Sequence, residues 1–183
     1  MNKKAAFVIV LIVGALTASA PAYAAATAFD CDVPPDHFSS VSQDVASPLA
    51  IKGSIQVVQM RSGKNLPLAG ATLASSDGNN SVGFQLVAAS TSAKQFDIVL
   101  NIKRGGNLKR STVAQIATDG SVPFKLSLND TGKATLAIGG GNFSANFIPL
   151  SSGKQMVFCS TGQFKFAGLF FSPNDEVGAV GAQ

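Results

Sequence analysis

Three stretches in the middle of the chain alternate apolar and polar residues with period two. In QFDIVLNIK (95–103), Phe96, Ile98, Leu100 and Ile102 fall on one face, and Asp97, Asn101 and Lys103 on the other. SVGFQLVA (81–88) sets Val82, Phe84, Leu86 and Ala88 against Ser81 and Gln85, and SVPFKLSLN (121–129) sets Val122, Phe124, Leu126 and Leu128 against Lys125 and Ser127. Successive side chains of a strand point to opposite faces, so this alternation predicts strands buried on one side. IKGSIQVVQM, PLAGATLAS, STVAQIA, KATLAI, NFSANFI, KQMVFC and QFKFAGLFF are further strand candidates. Between the candidates lie SSDGNN, KRGGN, TDGS, NDTG, GGGN and SSGK, all turn chemistry built on Gly, Asn, Asp and Ser. No segment beyond residue 24 sustains an apolar repeat at helical spacing. About ten short strands with such turns predict an all-β antiparallel sandwich or barrel. A membrane barrel would need aromatic girdles, and no Trp or Tyr follows residue 24, so the sandwich is the better fit.

The start of the chain has a different pattern. Two lysines at 3 and 4, an apolar run from Ala5 to Leu16 and the triplet Ala22-Tyr23-Ala24 match the three regions of a secretory signal peptide. The expected organisation is therefore a signal peptide at 1–24 cut after Ala24, a sandwich domain at 25–171 and a flexible polar tail at 172–183. The expected location is secreted or periplasmic, with no membrane insertion once the signal is removed.

Composition changes on removal of that segment. Lys3 and Lys4 leave with it, so fourteen basic residues become twelve against ten acidic ones, and the net charge falls from +4 to +2. The basicity is largely an export feature, which argues against a nucleic-acid partner. Tyr23 leaves too, so Phe is the aromatic residue that remains. Phe packs a core well but lacks the polar tip with which Tyr and Trp serve wet interfaces.

The Phe-rich start FDC, the alternating VGFQLVA, FDIVLNI and VPFKLSL, and the closing VFCSTGQFKF resemble the concanavalin A-like lectin and glucanase jelly roll. The resemblance spans most of residues 29–171 and implies neighbouring chain ends and a concave sheet on which ligands lie. The glycosidases of that superfamily carry two glutamates closely spaced around an aspartate, whereas the only glutamate here is Glu176. The resemblance thus implies a fold without a catalytic motif. Cys31 and Cys159 form an even pair in an exported chain, near the two ends of the domain, and are expected to form a disulfide; two buried thiols are the alternative.

Other constellations offer chemistry, each with a plainer competitor. FDCDVPPDHF (29–38) gathers Asp30, Asp32, Asp36 and the only histidine, His37. It lacks a calcium-loop pattern and has too few His and Cys for zinc, and a solvated turn after the first strand explains it, so no metal or cofactor is expected. No G-x-S-x-G is present, and His37 is the only imidazole base, which argues against an enzyme. KRGGNLKR (103–110) concentrates Lys103, Arg104, Lys109 and Arg110 around glycines whose amides could meet an anion; a charged hairpin that resists edge pairing is the alternative. The polar sides of the central strands present Gln85, Asp97, Asn101, Lys125 and Ser127, groups able to bond sugar hydroxyls, or simply a solvated sheet face. The candidate ligand-binding set is Gln85, Asp97, Asn101, Lys103, Arg104 and Lys125. Two N-x-[ST] sites stand at Asn129 and Asn142.

Two functional classes follow. One is an exported noncatalytic module that binds glycan or an anionic envelope component. The other is a structural, self-associating surface or matrix protein, consistent with low charge and abundant small residues. A hydrolase ranks third.

Overall fold

A computed structural model describes residues 27–173. The expected signal peptide at 1–24 lies outside the described residues, as does the expected tail apart from Ser172 and Pro173, which still belong to the last strand.

The described chain forms ten strands and no helix, joined edge to edge in antiparallel pairs. A long first strand, β1 (Thr27–Ala46), and a long last strand, β10 (Ser152–Pro173), make a ribbon shared by two layers. In the first layer the front half of β10 pairs β3 (Leu68–Ala74), followed by β4 (Ser81–Ala88), β5 (Gln95–Arg104) and β6 (Asn107–Ala117). In the second layer the back half of β10 pairs β2 (Leu49–Met60), followed by β7 (Ser121–Leu128), β8 (Lys133–Ile138) and β9 (Gly141–Asn146). One continuous sheet is thereby folded over its ribbon into a jelly-roll-like β-sandwich, the sandwich expected from the alternation and the jelly roll implied by the resemblance.

Where the ribbon passes from one layer to the other, its register jumps. Val33 faces Gly162 and Phe38 faces Ser160, so four residues, Pro34 to His37, oppose Thr161 alone. Asp36 and Thr161 both take positive φ there, 63° and 55°. A β-branched residue adopts that conformation only when its surroundings force it. Here the Thr161 hydroxyl accepts from the Asp36 amide at 3.2 Å, and the Thr161 carbonyl accepts from the Arg61 amide at 3.1 Å. The prolines therefore do not end the first strand, as the sequence suggests; they bulge it. Proline is tolerated at that position because β1 is an edge strand that lacks a partner on its outer side.

The core lies between the layers. Phe84 of the first layer meets Phe124 of the second at 5.2 Å between ring centroids, and Phe96 meets Phe164 at 6.3 Å. Each fully buried Phe contributes roughly 1.5–3 kcal/mol by leaving water. The Cys31–Cys159 disulfide, with Cα atoms 6.1 Å apart, joins the second-layer part of β1 to the first-layer part of β10. It staples the ribbon across its own fold, and it bears out the expected pairing.

Candidate functional site

Since inward residues alternate with outward ones, strand register maps each outer face as rows of neighbouring side chains. On the second layer one row runs Phe170, Lys52, Lys125, Ala137, Asn142 across β10, β2, β7, β8 and β9. A hollow of about 630 Å³ opens on this row, within the size range of small-ligand sites. Glycines line it, Gly53 on β2, Gly168 on β10 and Gly139 to Gly141 at the β8–β9 turn, and its rim is low at Gly140 and Gly168, where a Cβ would meet nothing within 4 Å. Gly139, Gly140 and Gly168 have positive φ, which glycine adopts without steric cost. Lys52 lies over the Phe170 ring, its Nζ 4.9 Å from the centroid. A second hollow of about 310 Å³ adjoins the first, sharing Lys125, Ala137 and Asn142 and adding Lys133, Asn129 and the Ser127–Thr135 pair, whose hydroxyls are 2.6 Å apart.

The structure divides the ligand-binding set expected from sequence between the two sides of the sandwich. Of that set Lys125 belongs to this furrow, together with Ser127, which the sequence places on the same polar face. Gln85, Asp97, Asn101 and Lys103 lie on the outer face of the first layer, where they alternate with the core residues Phe84, Leu86, Phe96 and Ile98. Asp97 accepts from Gln115 Nε2 at 2.8 Å, and Lys103 Nζ donates to the Gly78 carbonyl at 2.9 Å. Asn101 tucks its Oδ1 into a buried position with no hydrogen-bond partner, so that oxygen is closed to a ligand. Arg104 reaches across the mouth of the sandwich to the Asn146 carbonyl and lies 6.0 Å from the Phe147 ring.

KRGGNLKR folds as the β5–β6 hairpin, with Gly105 and Gly106 at its tip in positive φ. Its glycine amides are taken: Gly105 N donates to Asn80 Oδ1 at 3.0 Å and Gly106 N to the Asn79 carbonyl at 2.9 Å. An anion would therefore have to displace bonds that hold the hairpin to its neighbouring turn.

The acidic cluster is dispersed in the same way. Asp30 accepts from Gln163 at 3.2 Å, Asp32 pairs with Arg61 at 2.6 Å, and Asp36 accepts from the Asn65 amide at 2.7 Å. The backbone amides of Asn65 and Lys64 hold the Asp36 carboxyl below the ordinary aspartate value. His37 Nδ1 lies 2.8 Å from the Pro35 carbonyl. Among the described residues, no three metal-ligating side chains converge.

Sequence reasoning missed Lys52 and the glycine rim, because IKGSIQ and GGGN read there only as strand and turn, and it named Asn129 and Asn142 as N-x-[ST] sites without placing them in a furrow. It also missed an aromatic pair on the opposite face: Phe38, 57% exposed, packs on Phe158 at 5.7 Å. The sole signal for these in sequence is the break of alternation that leaves a Phe on the polar side of its strand.

No protein-family model matches the chain, and no curated protein matches it. Among solved structures it is similar to a carbohydrate-binding module from Bacillus subtilis, at 13% identity over 80% of this chain and 92% of that one, with a TM-score of 0.52. An alginate lyase from Alteromonas sp. gives 9% identity over 79% and 86%, with a TM-score of 0.52. A homodimeric agglutinin from chicken liver gives 14% identity over 74% and 100%, with a TM-score of 0.50. At these identities the likeness is one of fold alone, a jelly-roll β-sandwich.

Proposed function

We propose that the protein is an exported, noncatalytic glycan-binding module whose ligand lies in the furrow on the outer face of the second layer. The observation that carries the proposal is the pair of adjoining hollows of about 630 and 310 Å³, the larger mostly apolar with Lys52, Ser54, Lys125 and Asn142 at its edges, the smaller lined by Ser127, Asn129, Lys133 and Thr135. Such a surface offers sugar hydroxyls donors and acceptors at the close approach that only glycine permits. The carbohydrate-binding module and agglutinin that share the fold add support by analogy. The lining holds no carboxylate or imidazole among the described residues, so a general acid–base pair for glycoside cleavage has no source there.

A glycan array probed with the protein lacking residues 1–24 tests this, with the expected result of saturable binding and no release of reducing ends. Absence of binding across the array would count against it. A second reading, self-association, draws on Phe38, 57% accessible and packed on Phe158 away from the furrow. Sedimentation equilibrium without ligand separates the two: a monomer excludes self-association, and a concentration-dependent oligomer abolished by Phe38→Ser supports it.

A further inference from the structure

Lys52 and Lys125 are direct cross-strand partners in the β2–β7 register, both exposed on the same face. Like charges directly opposite one another destabilise a sheet. The usual remedy is a carboxylate at a neighbouring position, and none is provided: the flanking row positions are Phe170 and Ala137, and both hollows are lined without an acidic residue. A third lysine, Lys133, lines the adjoining hollow with Lys125. Sequences that violate a local rule at one place tend to do so where function requires it.

From this arrangement we infer that the furrow takes an acidic polysaccharide, one whose carboxylate or sulfate groups bridge Lys52 and Lys125 and continue toward Lys133. The inference rests on the glycan-binding reading and adds the ligand's charge to it. Lys52 is already partly ordered by the Phe170 ring, so less side-chain freedom is lost when an anion arrives. Three cations spread over two joined hollows suit a chain with charges at intervals better than one compact anion.

Calorimetric titration with polygalacturonate, chondroitin sulfate, neutral galactan and cellulose decides between the possibilities, with inorganic sulfate as the free-anion control. Binding is expected to the first two only, weakening steeply with added salt. Lys52→Gln and Lys125→Gln should each weaken it about tenfold or more, as loss of a charge-assisted hydrogen bond does. Lys125→Gln should also raise the thermal midpoint by about 1–3 °C, because it removes the repulsion without giving up a ring contact. Binding confined to the neutral polymers, or acidic binding indifferent to both substitutions, would overturn the inference while leaving the glycan reading intact. Binding of none of the four would count against both.

Discussion

At position 36 the backbone takes a left-handed turn, φ 63°, and the carboxylate accepts the Asn65 amide at 2.7 Å, closing the 61–65 loop onto the bulge. Aspartate and asparagine tolerate that conformation better than other side chains, so Asp36→Asn removes the charge and keeps the geometry. Because the folded carboxyl titrates below its ordinary value, its contribution is fully present above the unfolded value and disappears as pH falls through the folded one. Asp77, held down first by the Ser75 hydroxyl and then by Asn79, acts in the same direction. The expected result is that thermal melts of wild type and Asp36→Asn differ above about pH 5 and converge as the pH falls through the folded value. A gap that did not narrow with falling pH would assign the difference to something other than the charge. Asn101 makes the opposite case. Its buried Oδ1 without a partner costs free energy, and Asn is a poor strand former beside Val. Asn101→Val should therefore stabilise the fold by about 1 kcal/mol in urea unfolding and leave glycan binding unchanged.

The strands themselves were legible because alternation is a local property, and each alternating stretch named from the sequence falls on a strand, SVPFKLSLN overrunning β7 by Asn129 alone. What a local pattern does not contain is continuity. KQMVFC and QFKFAGLFF are one strand, β10, joined through Thr161 in positive φ, and β1 runs on through two prolines to Ala46. Turn-like residues in mid-strand read as terminators unless the partner strand that tolerates the bulge is known. The disulfide closes this same crossing, its cysteines 128 positions apart. Its removal in a Cys31→Ala, Cys159→Ala double variant should cost about 3–5 kcal/mol of stability, read from the urea midpoint. An unchanged midpoint would mean that β1 is held by its ladder with β10 alone.

On the scale of the whole molecule, the sandwich turns sequence neighbours in pattern into opposites in space. Gln85 and Lys125 have equivalent places in their strands, yet they face away from each other across the core, because β4 and β7 belong to different layers. The candidate site was legible only as far as Lys125 and Ser127. Lys52 became its partner through the β2–β7 register, which depends on how the sheet folds over. If the furrow binds as proposed, that same geometry makes it a place where stability and binding oppose each other. Ala137 stands between Lys125 and Asn142, half-buried and common to both hollows. Ala137→Glu would set a carboxylate directly beside Lys125, supplying the neighbour that the native sheet lacks. An opposite-charge cross-strand pair contributes roughly 0.2–1 kcal/mol, so the thermal midpoint should hold or rise by about 1–3 °C. The same carboxylate would repel an acidic glycan and fill the junction of the hollows, so binding should be lost. Gln85→Glu, an added carboxylate on the other face, should leave binding intact and controls for the change in net charge. If Ala137→Glu bound as wild type does, the furrow would not be the ligand surface, whatever its lysines repel.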